Sequence, residues 1–214
     1  MIARGLAAVA FALTGALFSV TPAHAGGLSF VSASEGALEA APTRLYGVSA
    51  DSWVLFDPHQ VYSLHLSSVY AWLDDGSYVE AGWAWYAGDG PQAYVAYERR
   101  GHTTDQQRIW LGPVRPGTWV HLEIVNASRE ERGPVRWVCT VGDRSAAVYQ
   151  DFGRATLRIS SERQTYRDSG YALFRSIEGL DATGAWSRWT DLRVQSGDED
   201  YDGFRLPGGA FEVR

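Results

Sequence analysis

Nine residues, Tyr78 to Tyr86 (YVEAGWAWY), constrain this chain more than any other stretch. Their chemistry alternates with a period of two, the period of a β-strand, whose successive side chains point to opposite faces. Val79, Ala81, Trp83 and Trp85 make one face bulky and apolar, suited to a core. Tyr78, Glu80, Gly82, Ala84 and Tyr86 make the other, where two small residues leave room beside a carboxylate and two phenols. Such a strand needs a second layer to cover its tryptophans. Its other face suits a shallow substrate cleft; the same residues also fit a plain solvated strand with one surface glutamate.

The rest of the chain repeats the theme. Strands are expected at Leu45 to Val48, Trp53 to Phe56, Val61 to Leu73, Ala93 to Arg99, Gln106 to Leu111 and Thr118 to Val125. Further ones are expected at Val135 to Val141, Thr156 to Ser161, Tyr171 to Ser176 and Thr190 to Gln195. In the third, Tyr62, Leu64, Leu66, Tyr70 and Trp72 share a face. Asp74-Asp75-Gly76 and Gly88-Asp89-Gly90-Pro91 are turn signals between neighbours. No convincing amphipathic helix occurs. About ten short strands with Gly, Pro and Asp turns indicate an all-β sandwich or barrel. One domain over residues 43–214 is expected, with no internal repeat.

Residues 1–25 read as a secretory signal peptide: Arg4 is a positive n-region, Leu6 to Val20 an apolar run, and Ala23-His24-Ala25 a cleavage pattern. The apolar run falls short of the roughly 20 residues that span a bilayer. Residues 26–42, rich in Gly, Ala and Ser, read as a linker or N-terminal arm. A secreted protein is therefore expected. The whole chain carries a formal charge of −6, and loss of Arg4 makes it more acidic still. That argues against nucleic acid and anionic membranes as partners, leaving extracellular protein, peptide or glycan. One cysteine, Cys139, makes no internal disulfide, so packing alone must hold the fold, and a monomer is expected. All 19 basic residues are arginine, a coding bias expected of a GC-rich bacterium. Nine tryptophans exceed what one core easily absorbs, so some are expected on a binding surface.

Most catalytic chemistries lack their residues. There is no G-x-S-x-G elbow, no H-E-x-x-H, and no glycine-rich phosphate loop opening a helix. His121 and Glu123 share a strand face and read as a surface pair rather than metal ligands. Cys139, among Trp137, Val138 and Val141, reads as a small core residue. Asp198, Asp200, Asp202 and Gly203 spell the opening of a calcium loop, but Gly209 stands where a bidentate glutamate belongs, so an acidic solvated turn is expected. No metal and no cofactor are expected. Paired carboxyls remain: one ionised to activate water, the other protonated to donate, their pKa values separated by environment. Glu80 has candidate partners in Glu98, Glu123 and Glu178, and residue spacing does not choose among them.

The EAGW of Glu80 to Trp83 resembles a stretch of the neprosin-like glutamic peptidases, secreted β-sandwich enzymes. Tyr94-Val95-Ala96-Tyr97 resembles the family's aromatic strand, and Trp137-Val138 with the Gly142-Asp143 turn its later tryptophan strand. Glu178, followed by Trp186 and Trp189, is placed like the family's second glutamate. There are departures: no cysteine lies in Gly101 to Asp105, Ser176-Ile177 replaces Gly-Gly before Glu178, and Arg136 stands where fungal relatives carry a glutamate.

The resemblance implies a concanavalin A-like jelly-roll sandwich of two antiparallel sheets and a glutamic endopeptidase. Glu80 and Glu178 would be its catalytic carboxyls, with Trp72, Tyr78, Tyr94 and Tyr97 as cleft walls. Strand parity puts Tyr94 and Tyr97 on opposite faces, so at most one lines the cleft. The alternative is a non-catalytic module that binds glycan or another extracellular polymer. The arrangement of Glu80 and Glu178 discriminates: if they lie far apart or face opposite sheets, the hydrolase readings fail and the binding module gains.

Overall fold

The computed structural model describes residues 29–35, 45–57, 61, 63–73, 75–99, 107–164, 167–168, 170–197 and 201–214. The expected signal peptide, Tyr62, Asp74, Asp198 and Asp200 lie outside these residues. Among the described residues fifteen strands follow in order: β1 (Ser29–Glu35), β2 (Leu45–Trp53), β3 (Leu64–Trp72), β4 (Tyr78–Tyr86), β5 (Gln92–Glu98), β6 (Gln107–Pro113), β7 (Trp119–Asn126) and β8 (Arg132–Val141). The remainder are β9 (Arg144–Phe152), β10 (Thr156–Arg163), β11 (Ala172–Asp181), β12 (Trp186–Arg188), β13 (Leu192–Ser196), β14 (Gly203–Leu206) and β15 (Ala210–Val213). No helix occurs among the described residues.

The strands form two antiparallel sheets. One runs β13-β1-β10-β3-β4-β5-β6, the other β14-β15-β11-β2-β7-β8-β9, with β12 beside β11. This is a jelly-roll sandwich, and alternation explains its core. Val79, Ala81, Trp83 and Trp85 of β4 turn inward with Val69, Ala71 and Ile159, against Val48, Ala50, Leu122, Ile124, Trp137 and Cys139 of the second sheet. Full burial of each large apolar side chain is worth about 1.5–3 kcal/mol. Two of the buried indoles also find partners for their N–H groups. Trp83 Nε1 donates to Ser52 Oγ at 3.0 Å, across the sandwich, and Trp137 Nε1 donates to the Phe152 carbonyl at 2.9 Å.

Several expectations need correction. Residues 29–35 are not part of a loose arm: they form β1, an interior strand between β10 and β13. Its Val31 and Ala33 are buried, and its Glu35 carboxylate accepts the backbone N–H groups of Thr190 and Asp191. The alternation Val31, Ala33 is only two residues deep, too short to stand out from a small-residue tract. Strands expected at Leu45 to Val48 and Trp53 to Phe56 are a single strand ending at Trp53. The expectations also missed β9, β12, β14 and β15.

Strand β11 breaks its own alternation. Its register against β2 shifts between Arg175 and Glu178, and Ser176 takes a φ of 52°, the left-handed region. One extra residue in a strand resets which side chains point inward. Phe174 and Ile177, three apart rather than two, are both buried in the core, and Glu178 turns outward.

Candidate functional site

The outward face of the first sheet carries the chemistry. Cross-strand pairing arranges it in rows that run from β10 through β3, β4 and β5 to β6. Arg158, Tyr70, Glu80, Ala96 and Arg108 make one row. Ser160, Ser68, Gly82, Tyr94 and Trp110 make the next, and Glu162, Leu66, Ala84 and Gln92 the third. The middle row is floored by small side chains, leaving space between the flanking carboxyls. Gly82 is required there: a Cβ would stand 2.3 Å from the Ser67 carbonyl oxygen and 2.7 Å from Ser68 Cβ. A second apolar cluster, with Leu64, Leu66, Tyr78, Ala84, Tyr94 and Ala96 at its centre, stiffens this face.

Glu80 and Glu162 differ in environment. The Tyr94 hydroxyl, fully buried, donates to Glu80 Oε1 at 2.6 Å. Glu80 itself is only partly buried. Glu162 is 7% exposed, and burial lifts its carboxyl to about 8; the nearby Glu80 charge adds to the lift, and Arg108 opposes it. One carboxyl is thus raised by burial on the same sheet face as another that accepts a phenolic hydrogen bond, the kind of inequality that acid–base hydrolysis uses. Burial also lifts the Tyr94 hydroxyl well above its ordinary value, with the Glu80 charge adding, so it stays a donor.

Arg108 completes the group. Its Nη1 donates to the Tyr86 hydroxyl at 2.5 Å, and its guanidinium carbon lies 5.0 Å from the Tyr94 ring centroid and 5.3 Å from that of Trp110. Burial pulls its pKa down, and Tyr94, Tyr86 and Glu80 outweigh that, so the net shift is upward and the charge persists. On the other flank Arg158 lies over the Trp72 ring at 5.3 Å. Burial lifts the Tyr70 phenol to about 12 in spite of Arg158.

The expected residues divide between the two sheets. Glu80, Trp72, Tyr78 and Tyr94 share the outward face of the first sheet, though Tyr78 and Tyr94 are too buried to form an open wall. Glu98 is on that face too, paired with Tyr78, and burial raises its carboxyl. Tyr97 is on the core side and donates to Gln107 Oε1, as parity requires. Glu178 and Glu123 do not join Glu80. Glu178 pairs with Ser49 and Arg188, and Ser49 pairs in turn with Glu123, all on the outward face of the second sheet. The whole sandwich separates Glu178 from Glu80, so the hydrolase expected on these two carboxyls fails and any peptidase reading needs a different partner for Glu80; the β11 bulge is what turns Glu178 outward.

Glu162 and Arg108 were missed, although alternation held the signal for both. In Thr156 to Arg163, Leu157 and Ile159 point inward, which puts Arg158, Ser160 and Glu162 outward. The expected strand stopped at Ser161, two residues short of the end of β10. In β6, Ile109 and Leu111 pack on the core and leave Arg108 and Trp110 outward.

His121 and Glu123 are a surface pair in the structure as well. His121 Nε2 lies 3.8 Å from Glu123 and Nδ1 lies 3.2 Å from Asp51. The Glu123 interaction raises the His121 pKa against partial burial, with Asp51 helping. Among the described residues no three His, Cys, Asp or Glu side chains are grouped to hold a metal ion.

No family model matches the chain, and no curated protein matches its sequence. Solved structures do match. Scytalido-glutamic peptidase with a peptide-based transition-state analog superposes with a TM-score of 0.57 at 11% identity, over 88% of this chain and 98% of that one. The same peptidase with a transition-state analog inhibitor gives 0.58 at 10% identity, over 87% and 97%. Bacillus licheniformis β-glucanase gives 0.38 at 8% identity, over 79% and 66%, too low to carry an argument. At such identities the likeness is one of architecture: this chain folds into the jelly-roll sandwich on which a glutamic peptidase is also built.

Proposed function

We propose that the chain is an exported glutamic peptidase, similar to the neprosin-like enzymes, in which Glu80 and Glu162 are the catalytic carboxyls. The observation that carries this reading is the unequal pair on one sheet face. Glu162 is buried, which lifts its carboxyl to about 8, and the Glu80 charge is the largest electrostatic contribution after burial. The fold shared with Scytalido-glutamic peptidase supports it. Glu80, as carboxylate, takes a proton from water while that water's oxygen bonds to the peptide carbonyl carbon. Glu162 gives its proton to the carbonyl oxygen, so no bare oxyanion forms. Proton transfer from Glu80 to the amide nitrogen then breaks the C–N bond. An amine and a carboxylic acid leave, and a proton returns to Glu162 from the second hydroxyl.

Export rests on residues 1–25, and amino-terminal sequencing of secreted protein is expected to begin at Gly26. Incubation with a denatured substrate protein between about pH 3 and 6 tests the activity. Wild type is expected to cleave, and Glu80→Gln and Glu162→Gln to lose at least about a hundredfold. Equal cleavage by all three, or none by any, contradicts the peptidase and leaves the polymer-binding module.

A further inference from the structure

We propose that Arg108 is a positioning residue whose fixed positive charge holds one, and only one, of the two carboxyls Glu80 and Glu162 ionised. The inference rests on the peptidase reading for its consequence in catalysis, and on geometry for its substance. Arg108 shares a cross-strand row with Glu80, with only the small side chain of Ala96 between them. Its guanidinium is pinned three ways, by the Tyr86 hydroxyl and by the faces of the Tyr94 and Trp110 rings. Tyr94 is also the donor to Glu80, so the ring on which the cation rests is the ring that orients the base.

The cation's anchors are neutral. Among the described residues no carboxylate stands within ion-pair distance of Arg108, whereas the exposed Arg99, Arg175 and Arg205 each have one. An arginine neutralised by a contact partner has little field left for others. One held by a phenol and two rings keeps it, and both carboxyls feel it. Arginine suits the role because burial does not discharge it and its planar fork stacks on aromatic faces.

The charges that face the pair can be counted strand by strand. Tyr70 on β3 and Tyr94 on β5 are phenols that burial keeps protonated, and Tyr78 and Tyr86 on β4 add no fixed charge. Glu98 is set off beside Tyr78, and Arg158 is on the far flank, over Trp72 and donating to Gln195. Tyr201, behind the sheet, hydrogen-bonds with Ser161 and carries the Arg163 guanidinium 4.5 Å from its ring centroid, with Asp168 the acidic group on that core side. Glu80, Glu162 and Arg108 are left at the centre. With one carboxyl ionised the trio is neutral; with both ionised it carries a net negative charge in a poorly solvated place. A single shared proton is the balanced state, and it is also the state that has a base and an acid together.

Removing the cation disfavours every anionic form of the pair, so both of its apparent pKa values rise. The window in which one proton is shared moves to higher pH by about one unit. Two measurements test this on the full folded chain. The pH profile of kcat/KM is compared for wild type, Arg108→Gln and Arg108→Lys, and Tyr86→Phe is added because it removes one anchor and no charge. Arg108→Gln is expected to move the acid limb upward by about one pH unit, so that activity on the acid side falls about tenfold more than near neutrality. Arg108→Lys is expected to keep the wild-type limb, and Tyr86→Phe to move it less than Arg108→Gln does. A loss uniform across pH marks a merely structural role and overturns the proposal. The second measurement needs no activity: the carboxyl carbon of Glu162, assigned by Glu162→Gln, is titrated by NMR in 13C-glutamate-labelled protein. A higher midpoint in Arg108→Gln upholds the proposal even if wild type cleaves nothing, in which case only the peptidase reading fails. Coincident midpoints overturn it whatever the activity.

Discussion

Tyr94 and Glu80, on neighbouring strands, are joined by a 2.6 Å hydrogen bond from a fully buried phenol to a half-buried carboxylate. The two residues are diagonal across the β4–β5 ladder: Tyr94 pairs with Gly82 and Glu80 with Ala96. Gly82 leaves the room through which the phenol leans toward the carboxylate. The bond fixes one Glu80 oxygen and leaves the other for substrate or water.

Tyr94→Phe removes that bond and almost no volume. It is expected to lower kcat about tenfold or more with little change in KM, because the bond orients the base rather than the substrate. Stability is expected to fall by about 1 kcal/mol. Steady-state kinetics and urea unfolding of the same preparations check both.

Glu162 makes stability depend on pH. Burial lifts its folded pKa to about 8, above the ordinary carboxyl value of 4.5. The folded state therefore binds the proton more tightly. This contribution is fully present below the unfolded value and is lost as pH rises through the folded one. The glutamine variant cannot ionise, so Glu162→Gln is expected to match wild type near pH 4.5 and to be the more stable by pH 9. The gap is about 1.4 kcal/mol for each unit of upward shift. Thermal melts across that range measure it, and a gap that shrinks with pH contradicts the assignment.

Gly82→Ala places a methyl 2.3 Å from the Ser67 carbonyl oxygen, a backbone atom that moves only with its strand. A cost of about 1–3 kcal/mol is expected. Ala84→Gly, one row on, removes a methyl from the same face and is not expected to strain the β3–β4 pairing. Denaturant midpoints of the pair of variants separate a close backbone approach from a general intolerance of this strand.

Glu178→Gln is expected to leave cleavage within about twofold of wild type, since surface substitutions away from a site are close to neutral. A loss as large as that of Glu80→Gln contradicts the placement of the site on the first sheet.

The sandwich was legible because burial writes itself into period two. Val79, Ala81, Trp83 and Trp85 fell on the core side as the alternation requires, and so did Cys139. Alternation also separated Tyr94 from Tyr97 correctly. It does not say which sheet a strand joins, and that is where the second carboxyl was lost. Glu162 and Glu178 both lie just beyond the strands expected at Thr156 to Ser161 and Tyr171 to Ser176, and only pairing partners distinguish them: Leu66 for Glu162, on β3 beside β4, and Ser49 for Glu178, in the opposite layer. The bulge at Ser176 has no residue signature, since serine is an ordinary strand-end residue and its φ of 52° is set by packing. β1 was illegible for a related reason: Ser-Phe-Val-Ser-Ala-Ser-Glu is small and polar, and sheet neighbours on both sides, rather than propensity, make it a strand.

Everything proposed for this chain requires that Glu80 and Glu162, 82 positions apart and on strands separated by β3, share one electrostatic site. Titration of the Glu162 carboxyl carbon in wild type and in Glu80→Gln tests that directly. Deleting the Glu80 charge is expected to lower the Glu162 midpoint from about 8 toward the ordinary carboxyl range. An identical midpoint in the two proteins would mean that the carboxyls are strangers, and would contradict the account.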